Sequence, residues 1–379
     1  MAKKILYVAS TFGHLKTFHI PYLQVLLSQG NEVHVMGAGD PAGLPDGVTA
    51  IPMPLEKKMT SWGNFKCAFR IRNLVRKERY DLVSLHTSLA AFFTRLGIML
   101  SGRRPWVINT VHGYLFDENT PWNKRIILLA AEKLTSPVTD VVAVMNQQDE
   151  QIAQKYHLYR TRLVSIKGMG VDVARFEKNE ATIAAVESLR RTYSFSPQEF
   201  VMVCAAEFSD RKNQIFLVRA MRRLKEEGIP CRLILVGEGD QFERIKSLAV
   251  RFSVRKEIRF PGYAQDLAPY FYLADAGVSA SRIEGLPFQI MEAMVCGLPV
   301  IASKVKGHED LIEPEVNGLL FDFDDEEAFC QAVRKLYENR QLREKMGQAG
   351  KKKVQRYRLE KVLPENMKNL YEEPLQKQE

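Results

Sequence analysis

The feature that most constrains this chain is a regular alternation of short apolar stretches with amphipathic stretches of helical periodicity. In the first half the pattern predicts strands at residues 4–9, 32–36, 81–86, 106–111 and 138–144, with helices at 17–29 and 90–100. In the second half it predicts strands at 200–205, 232–236, 258–260, 276–280 and 299–302. Alternation of this kind indicates parallel sheets covered by helices on both faces. We therefore expect an α/β protein with two Rossmann-like, doubly wound domains.

The length of the chain supports two domains. Its 379 residues exceed the roughly 250–300 at which a single core stops growing. Residues 167–172, Lys-Gly-Met-Gly-Val-Asp, interrupt the pattern with two glycines. This break predicts an N-terminal domain at 1–168 and a C-terminal domain at 169–350. Residues 351–379 are predicted to be helical, and the sequence leaves open whether they cross back to the N-terminal domain.

Composition indicates a cytoplasmic protein. The five cysteines are odd in number, scattered and mostly in apolar surroundings, which is typical of reduced core residues and not of a disulfide or zinc framework. The first apolar run passes straight into a polar loop, so we interpret it as a strand and not as a signal peptide. No stretch approaches the roughly 18 apolar residues that would span a bilayer.

Positive charge is concentrated in the first half of the chain. Residues 1–165 contain 20 Lys and Arg against 12 Asp and Glu, a balance of +8 out of the total of +9. Much of it lies in segment 57–79, whose basic residues are Lys57, Lys58, Lys66, Arg70, Arg72, Arg76, Lys77 and Arg79. Trp62, Phe65 and Phe69 are interleaved with them. The segment favours an anionic membrane surface, here the inner face of the plasma membrane. A helix packing its apolar stripe on its own domain is the alternative; no motif indicates nucleic acid.

Histidines stand where the strands of the first predicted sheet end. Ligands of doubly wound sheets bind beyond the carboxyl ends of the strands. Gly13 and His14 follow the first strand, His86 ends a later one, and His112 follows the next. Each histidine alone would more often be structural, but three at one sheet edge suggest a site.

The second predicted sheet has polar residues at the same kind of edge. Arg211 and Lys212 are the only basic pair there, and a diphosphate needs such fixed positive charge. Gly262 and Tyr263 follow another strand. A solvated helix start is the alternative interpretation of Arg211 and, less readily, of Lys212.

Two carboxylates flank a helix start in the second half. Pro287 and Gly297 suit the first position and the end of a helix predicted at 287–296, so Glu284 precedes the helix and Glu292 lies on its second turn. A carboxylate beside the open N–H groups of a helix N-terminus can hold a polyol attached to a phosphate. The alternative is a capped amphipathic helix with solvated glutamates.

Several nucleotide and metal chemistries lack their motifs. The first turn carries a single glycine in place of Gly-x-Gly-x-x-Gly, which disfavours NAD and FAD. No Gly-x-x-x-x-Gly-Lys-Ser/Thr loop, Gly-x-Ser-x-Gly elbow or zinc-ligand cluster is recognisable. No Asp-x-Asp follows an early strand, and Asp322–Asp324 come late. We expect no metal and no cofactor, with charge neutralised by the chain's own cations and helix N-termini.

The order and spacing of several motifs resemble a known family. They are Ser-x-x-Glu-Gly-Leu-Pro through Cys-Gly-Leu-Pro-Val-Ile-Ala-Ser at 281–303, Asn-Gly-Leu-Leu-Phe at 317–321, Gly-Val-Asp-x-x-x-Phe at 170–176 and Thr-Val-His-Gly at 110–113. The chain resembles the family 4 retaining glycosyltransferases of the GT-B fold, whose two domains face a central cleft. Residues 14–23 resemble the exopolysaccharide and capsule branch. The resemblance implies transfer of an N-acetylhexosamine or hexose, from UDP more readily than GDP, to a saccharide on a polyprenyl diphosphate.

The resemblance also assigns roles to residues of the second domain. Glu284 matches the carboxylate that binds the sugar hydroxyls, and Glu292 the one that binds the ribose. The N–H groups of Gly285, Leu286 and Phe288 match those that meet sugar and phosphate. Lys212 matches the diphosphate lysine. The family commonly has an arginine where this chain has Glu207, and whether Arg211 replaces it is left open. Gly262 and Tyr263 are added to the donor side.

In the first domain, His112 matches the histidine that reaches the donor sugar, and Gly13 matches the glycine that allows close approach of phosphate. His14 and His86 are added to the acceptor side. The expected catalytic residues are thus His112, Glu284 and Lys212, with an oxocarbenium-like state and no covalent nucleophile. A nucleotide-sugar epimerase of the same architecture and a non-catalytic sugar-nucleotide-binding partner are the alternatives.

Overall fold

The computed structural model describes residues 2–56, 59–118 and 120–376. The chain divides into two compact units. Unit 1 comprises residues 1–170 and 360–379, and unit 2 comprises residues 171–359. The observed divisions after 170 and after 359 compare with predicted ones after 168 and after 350. Gly168 and Gly170, in the predicted linker, have φ values of +71° and +83°, a conformation that favours glycine.

Unit 1 is built on a sheet of seven parallel strands. The strands are β1 (Lys4–Thr11), β2 (Glu32–Ala38), β3 (Thr49–Pro52), β4 (Leu82–His86), β5 (Trp106–Val111), β6 (Val141–Val144) and β7 (Arg162–Ser165). They lie in the order β3-β2-β1-β4-β5-β6-β7. The helices are α1 (Phe12–Phe18), α2 (Ile20–Ser28), α3 (Trp62–Glu78), α4 (Ser88–Ser101), α5 (Trp122–Thr135) and α6 (Gln147–Tyr156).

Unit 2 has a sheet of six parallel strands. They are β8 (Phe200–Ala205), β9 (Cys231–Val236), β10 (Ile258–Gly262), β11 (Ala276–Ser279), β12 (Val300–Ser303) and β13 (Gly318–Phe321), in the order β10-β9-β8-β11-β12-β13. The helices are α7 (Glu180–Tyr193), α8 (Gln214–Glu226), α9 (Phe242–Arg251), α10 (Ala268–Leu273), α11 (Phe288–Val295), α12 (His308–Leu311), α13 (Glu326–Glu338) and α14 (Arg340–Val354). The chain ends with α15 (Leu359–Asn366), a π-helical stretch Met367–Glu372 and α16 (Glu373–Gln376).

Both sheets have the expected doubly wound, parallel topology. In each, the strand order reverses beside the first strand of the unit: between β1 and β4 in unit 1, and between β8 and β11 in unit 2. The register aligns Ile5 with Leu82 in the first sheet and Met202 with Ala276 in the second. Such a reversal opens a crevice at the carboxyl ends of the strands, which is where these folds bind ligands.

The core of each unit follows from the alternation in the sequence. In unit 1, Leu6 and Val8 of β1 pack with Ile71 of α3 and Ile98 of α4. A Cβ on Gly97 would lie 2.8 Å from the Ile71 side chain, so this glycine allows α3 and α4 to pack closely. In unit 2, apolar residues of the sheet pack with α8 and α13, and the rings of Phe216 and Phe321 stack with centroids 5.2 Å apart. All five cysteines are buried and free.

The C-terminal segment is hydrogen-bonded into unit 1. Asn366 Nδ2 donates to Tyr22 Oη and to Gly168 O, both at 2.8 Å. The hydroxyls of Tyr371 and Ser84 are 2.7 Å apart in the core. These hydrogen bonds between buried groups tie the segment to the core of unit 1.

An ion pair fastens α5 to α4 inside unit 1. The Arg95 side chain is fully buried, and its Nη2 lies 2.8 Å from Glu132 Oε2. Arg95 also donates to Thr139 Oγ1 at 3.3 Å.

Within the described residues, no helix is both long enough and apolar enough to cross a membrane.

Candidate functional site

Two loops meet at the strand reversal of unit 2. One runs from β8 to α8 and carries Arg211 and Lys212, and the other runs from β11 to α11 and carries Glu284. The backbone N–H of Arg282 donates to Arg211 O at 2.8 Å, and its Nε donates to Asp210 O at 3.1 Å. These bonds hold the loops side by side. The predicted basic pair and the predicted sugar carboxylate therefore lie in one place, although 72 residues separate Lys212 from Glu284.

Glu284 is at the centre of this cluster. Its Oε1 lies 2.6 Å from Lys212 Nζ, and its Oε2 lies 2.9 Å from Arg211 Nη1. The Glu284 side chain is 5% exposed, Lys212 is 12% exposed and Arg211 is 40% exposed. Burial raises the pKa of Glu284, but Lys212 and Arg211 outweigh it and lower the pKa to about 2. The carboxylate is therefore ionised at neutral pH and can accept hydrogen bonds from hydroxyl groups.

Sequence reasoning missed two residues beside Glu284, Gly307 and His308. Gly307 has φ +78°, and a Cβ there would lie 2.3 Å from Gly285 O. His308 is fully buried, and its Nδ1 is 2.7 Å from Ser303 O, which assigns the proton to Nδ1. Burial lowers the pKa of His308 to about 4, so the imidazole is neutral. Both residues follow β12, so the strand-end rule would have found them had it been extended past Ser303.

Helix α11 begins at Phe288, one residue later than predicted. Pro287 is the N-cap, with extended backbone angles of −75° and 119°, instead of the first helical residue. Gly297 follows the C-cap Cys296 with φ +79°, as expected for a helix-terminating glycine.

Gln289, which the sequence did not single out, ties the helix to the sheet because its Oε1 accepts from Ala205 N at 3.1 Å. Its Nε2 is buried and has no hydrogen-bond partner among the described residues.

Glu292 lies on the second turn of α11, as predicted, in an environment unlike that of Glu284. Its side chain is buried, with 9% of the residue exposed, and it makes no ion pair among the described residues. Burial raises the pKa of Glu292 to about 7, against the opposing influence of Arg175 and Lys212. The site thus combines one carboxylate that is always ionised with one that titrates near neutral pH.

Gly262 and Tyr263, the other predicted donor-side residues of unit 2, lie away from Glu284. Gly262 and Tyr263 stand at the end of β10, the edge strand, with β9 and β8 between it and β11. Tyr263 is 73% exposed. They are therefore not part of the cluster around Glu284. Glu207 is exposed and its backbone carbonyl accepts from Gln214 Nε2 at 2.9 Å.

Unit 1 brings the three predicted histidines together and adds a fourth. His86 Nδ1 and His112 Nε2 are 3.2 Å apart, and the rings of His14 and His112 have centroids 5.2 Å apart. His19, at the joint between α1 and α2, packs on His86 at 4.2 Å. Sequence reasoning missed His19 because it does not stand at a strand end. Burial lowers the pKa of all four, to about 4 for His14.

The fold adds an observation to each of two sequence interpretations in this region. No zinc-ligand cluster was recognisable from spacing, yet the fold brings ligand atoms of His14, His19 and His112 within 4.8 Å of one another. The chain positions are too far apart to form a spacing motif. Gly13 is exposed in α1, and a Cβ there would meet only Thr11 Oγ1, at 3.8 Å. No protein atom requires a glycine at this position, and its role beside a phosphate stays a prediction.

Helix α3 covers most of the predicted basic segment and has two apolar stripes, one buried and one exposed. Cys67, Ile71 and Val75 point into the core, whereas Trp62, Phe65 and Phe69 are 82%, 39% and 55% exposed. The alternative of apolar residues packing on their own domain therefore accounts for the first stripe and for part of Phe65, whose ring centroid lies 5.4 Å from that of Phe93. It does not account for Trp62 and Phe69. Lys57 and Lys58 lie outside the described residues.

Comparison with known proteins places both units in one group. Residues 22–175 match the sequence family described as Glycosyltransferase Family 4, and residues 186–353 match Glycosyl transferases group 1. The chain is 30% identical to EpsD of Bacillus subtilis (strain 168), which is assigned as a glycosyltransferase, over 98% of this chain and 97% of EpsD.

A second relative has a more specific name. The chain is 24% identical to the UDP-Gal:alpha-D-GlcNAc-diphosphoundecaprenol alpha-1,3-galactosyltransferase of Escherichia coli, over 79% of this chain and 77% of that enzyme. Among solved structures, Anabaena HepE in complex with UDP-glucose superposes with a TM-score of 0.76 at 18% identity, covering 97% and 99% of the two chains. WaaG, a glycosyltransferase involved in lipopolysaccharide biosynthesis, gives 0.77 at 16% identity, covering 97% and 100%.

Proposed function

Because the chain belongs to the family 4 glycosyltransferases of the GT-B fold, we propose that it transfers a sugar, with retention and without a metal, from a UDP-sugar to a lipid-linked saccharide. The sugar is an N-acetylhexosamine or a hexose, and the acceptor is a saccharide on a polyprenyl diphosphate in exopolysaccharide synthesis. The observation that carries the proposal is the pairing of buried Glu284 with Lys212 and Arg211 at the strand reversal of unit 2.

The cluster suits a nucleotide-sugar because it separates the tasks of binding sugar and leaving group. An ionised Glu284 accepts hydrogen bonds from sugar hydroxyls. We propose that Lys212 and Arg211, which pair with Glu284 in this structure, also contact the diphosphate. Stabilising negative charge on the departing UDP by groups fixed in advance is the main requirement of the reaction. Glu292, deeper along α11, would take the ribose hydroxyls. From unit 1 we propose that His112 takes part in transfer.

Two of the similar proteins support the choice of substrates. The Escherichia coli relative uses UDP-galactose and an acceptor on diphosphoundecaprenol. HepE has been crystallised with UDP-glucose. We extend the UDP-sugar and the lipid-linked acceptor to this chain, leaving the identity of the sugar to the experiment below.

A lipid-linked acceptor requires access to a membrane, and we propose that unit 1 provides it. The exposed stripe of α3 carries Trp62, Phe65 and Phe69 beside the exposed cations Lys66 and Arg70. Helix α5 adds a second exposed apolar stripe, with Trp122, Ile126, Ile127 and Leu134 between 54% and 72% exposed. Aromatic side chains enter the interfacial layer, and each cation near an anionic surface contributes about 1 kcal/mol. The occupant we propose is the inner face of the plasma membrane.

The function is tested by incubating the protein with a panel of UDP- and GDP-sugars, with and without lipid extract, in the presence of EDTA. Transfer from a UDP-sugar that needs lipid supports the proposal. Interconversion of the sugar nucleotide without lipid would instead identify an epimerase, and binding without turnover a non-catalytic partner. A covalent glycosyl-enzyme detected by mass spectrometry would refute the mechanism.

Variants test the site and the membrane contact separately. Lys212→Ala should lower transfer at least about a hundredfold, as removal of one donor to the developing negative charge does elsewhere. Glu284→Ala should also lower transfer, because it removes the acceptor for the sugar hydroxyls. Lys335→Ala, which removes an exposed pair with Glu315 at 2.5 Å, is the matched control and should leave transfer unchanged. For the membrane contact, Phe69→Glu should reduce sedimentation with anionic vesicles. Val250→Glu, at a 61% exposed apolar position of unit 2, should not.

A further inference from the structure

Three histidine rings of unit 1 are spaced as the ligands of one metal ion are. Ring centroids are 5.1 Å apart for His14 and His19, 5.2 Å for His14 and His112, and 5.6 Å for His19 and His112. Imidazoles bound to a tetrahedral ion, with each nitrogen about 2 Å from it, place their ring centres about 5 Å apart. Ligand nitrogens of the three residues already lie within 4.8 Å of one another, so turning the rings in place would bring them to the ion.

Two of these rings have nitrogens without a partner. His14 Nε2 and His19 Nε2 are buried and make no hydrogen bond with any described residue. His19 is completely buried, and a buried polar atom without a partner costs about 1–3 kcal/mol. These nitrogens are therefore available for coordination.

The second nitrogens of His19 and His112 are held by neighbouring side chains. Tyr7 Oη is 2.9 Å from His19 Nδ1, which leaves Nε2 of His19 to face the centre. His86 Nδ1 is 3.2 Å from His112 Nε2, which leaves Nδ1 of His112. His86 is fixed in turn, because its Nε2 is 3.1 Å from Ser84 Oγ. Metal-binding histidines characteristically have their second nitrogen fixed in this way.

We propose that His14, His19 and His112 bind one divalent ion of the Zn²⁺ or Co²⁺ class, with a fourth position left to water. Three imidazoles and no carboxylate match the preference of these borderline ions and not that of Mg²⁺ or Ca²⁺, which take oxygen ligands. His14 and His112 are only partly buried, which gives an ion access to the cluster.

Metal binding at this site would oppose transfer. His112 is the unit 1 residue to which we assign a part in the reaction, and an ion would occupy its side chain. This consequence rests on the proposed function, whereas the metal site itself does not. Zn²⁺ is expected to inhibit transfer, and EDTA to restore it.

The site is tested on the whole chain by titrating Co²⁺ and recording its visible absorption, followed by displacement with Zn²⁺. One Co²⁺ per chain with the strong bands of a tetrahedral site is expected. His14→Ala should bind Co²⁺ at least about tenfold more weakly. Tyr7→Phe, which keeps the ring and removes only the group that fixes His19, should also weaken it by about tenfold. His157→Asn, an exposed histidine at the end of α6, is the control and should bind as the wild type does.

Circular dichroism of each variant shows whether it is folded before metal is added. Absence of saturable Co²⁺ absorption by the wild type would overturn the proposal. So would wild-type affinity in folded His14→Ala together with Tyr7→Phe, or an equal loss in His157→Asn. If no donor supports transfer but the Co²⁺ spectrum is present, the proposed function fails and the metal site stands.

Discussion

Replacing Glu292 by glutamine should stabilise unit 2 at neutral and alkaline pH. The side chain is buried on α11, and burial raises its pKa from an ordinary value of 4.5 to about 7. Between those values the folded protein keeps a proton that the unfolded chain releases. Stability conferred by this proton is present at low pH and is lost as the pH rises toward 7. A shift of that size corresponds to about 3 kcal/mol at 1.4 kcal/mol per unit. Glutamine has nearly the same shape and cannot ionise, so it avoids the cost.

The assay is urea unfolding of the wild type and of Glu292→Gln at steps of pH from 4.5 to 8, followed by far-ultraviolet circular dichroism. The difference in unfolding free energy between them should grow by about 3 kcal/mol across this range. All three tryptophans, Trp62, Trp106 and Trp122, lie in unit 1, so their fluorescence reports that unit separately. The exposed Glu338→Gln is the matched control. A difference that stays constant with pH would refute the assignment of a buried, uncompensated carboxyl group to Glu292.

Three further predictions follow from the same contacts. If Glu292 holds ribose hydroxyls as a carboxylate, the affinity of the wild type for UDP, measured by calorimetry, should fall by up to about tenfold per pH unit below 7. In Glu292→Gln the affinity for UDP should be lower and should not change with pH in this way. A decline parallel to that of the wild type would contradict this role. Glu132→Ala should cost about 3–5 kcal/mol in urea unfolding because it leaves Arg95 buried without its partner, and a loss below 1 kcal/mol would argue against a desolvated pair. Gly307→Ala should weaken UDP binding, since its Cβ would collide with Gly285 O; unchanged affinity would show that the loop can shift freely.

Much of the fold could be predicted because the strands of a buried parallel sheet have continuous apolar sequences. Strands β5 and β8 have the predicted bounds. Strands β3, β7 and β13 were missed, and each lies at an edge of its sheet. No residue of β3 or β7 is buried, so these strands lack the continuous apolar run that marks the inner strands. The predicted helix at 17–29 is instead two helices that meet at His19, and Pro21 lies in the first turn of the second.

The site could be predicted in its parts but not in its contacts. Arg211, Lys212 and Glu284 were identified because each follows a strand and carries the charge that a sugar diphosphate requires. That the two cations both pair with the one carboxylate depends on the contact between two loops far apart in the chain. The difference between Glu284 and Glu292 also depends on burial and on neighbouring cations. The sequence alone shows only that both residues are glutamates.

The return of the chain to unit 1 after residue 359 affects how the protein can be made and exchanged. Unit 2 is one continuous stretch and can complete its fold while synthesis continues, whereas unit 1 lacks Asn366 and Tyr371 until all of unit 2 has been synthesised. On the ribosome the second unit therefore has the opportunity to mature first, against the usual N-terminal order. For protein engineering, residues 171–359 form a single cassette. Substituting a relative's cassette would change the unit proposed to select the donor while leaving both segments of the other unit in their native sequence.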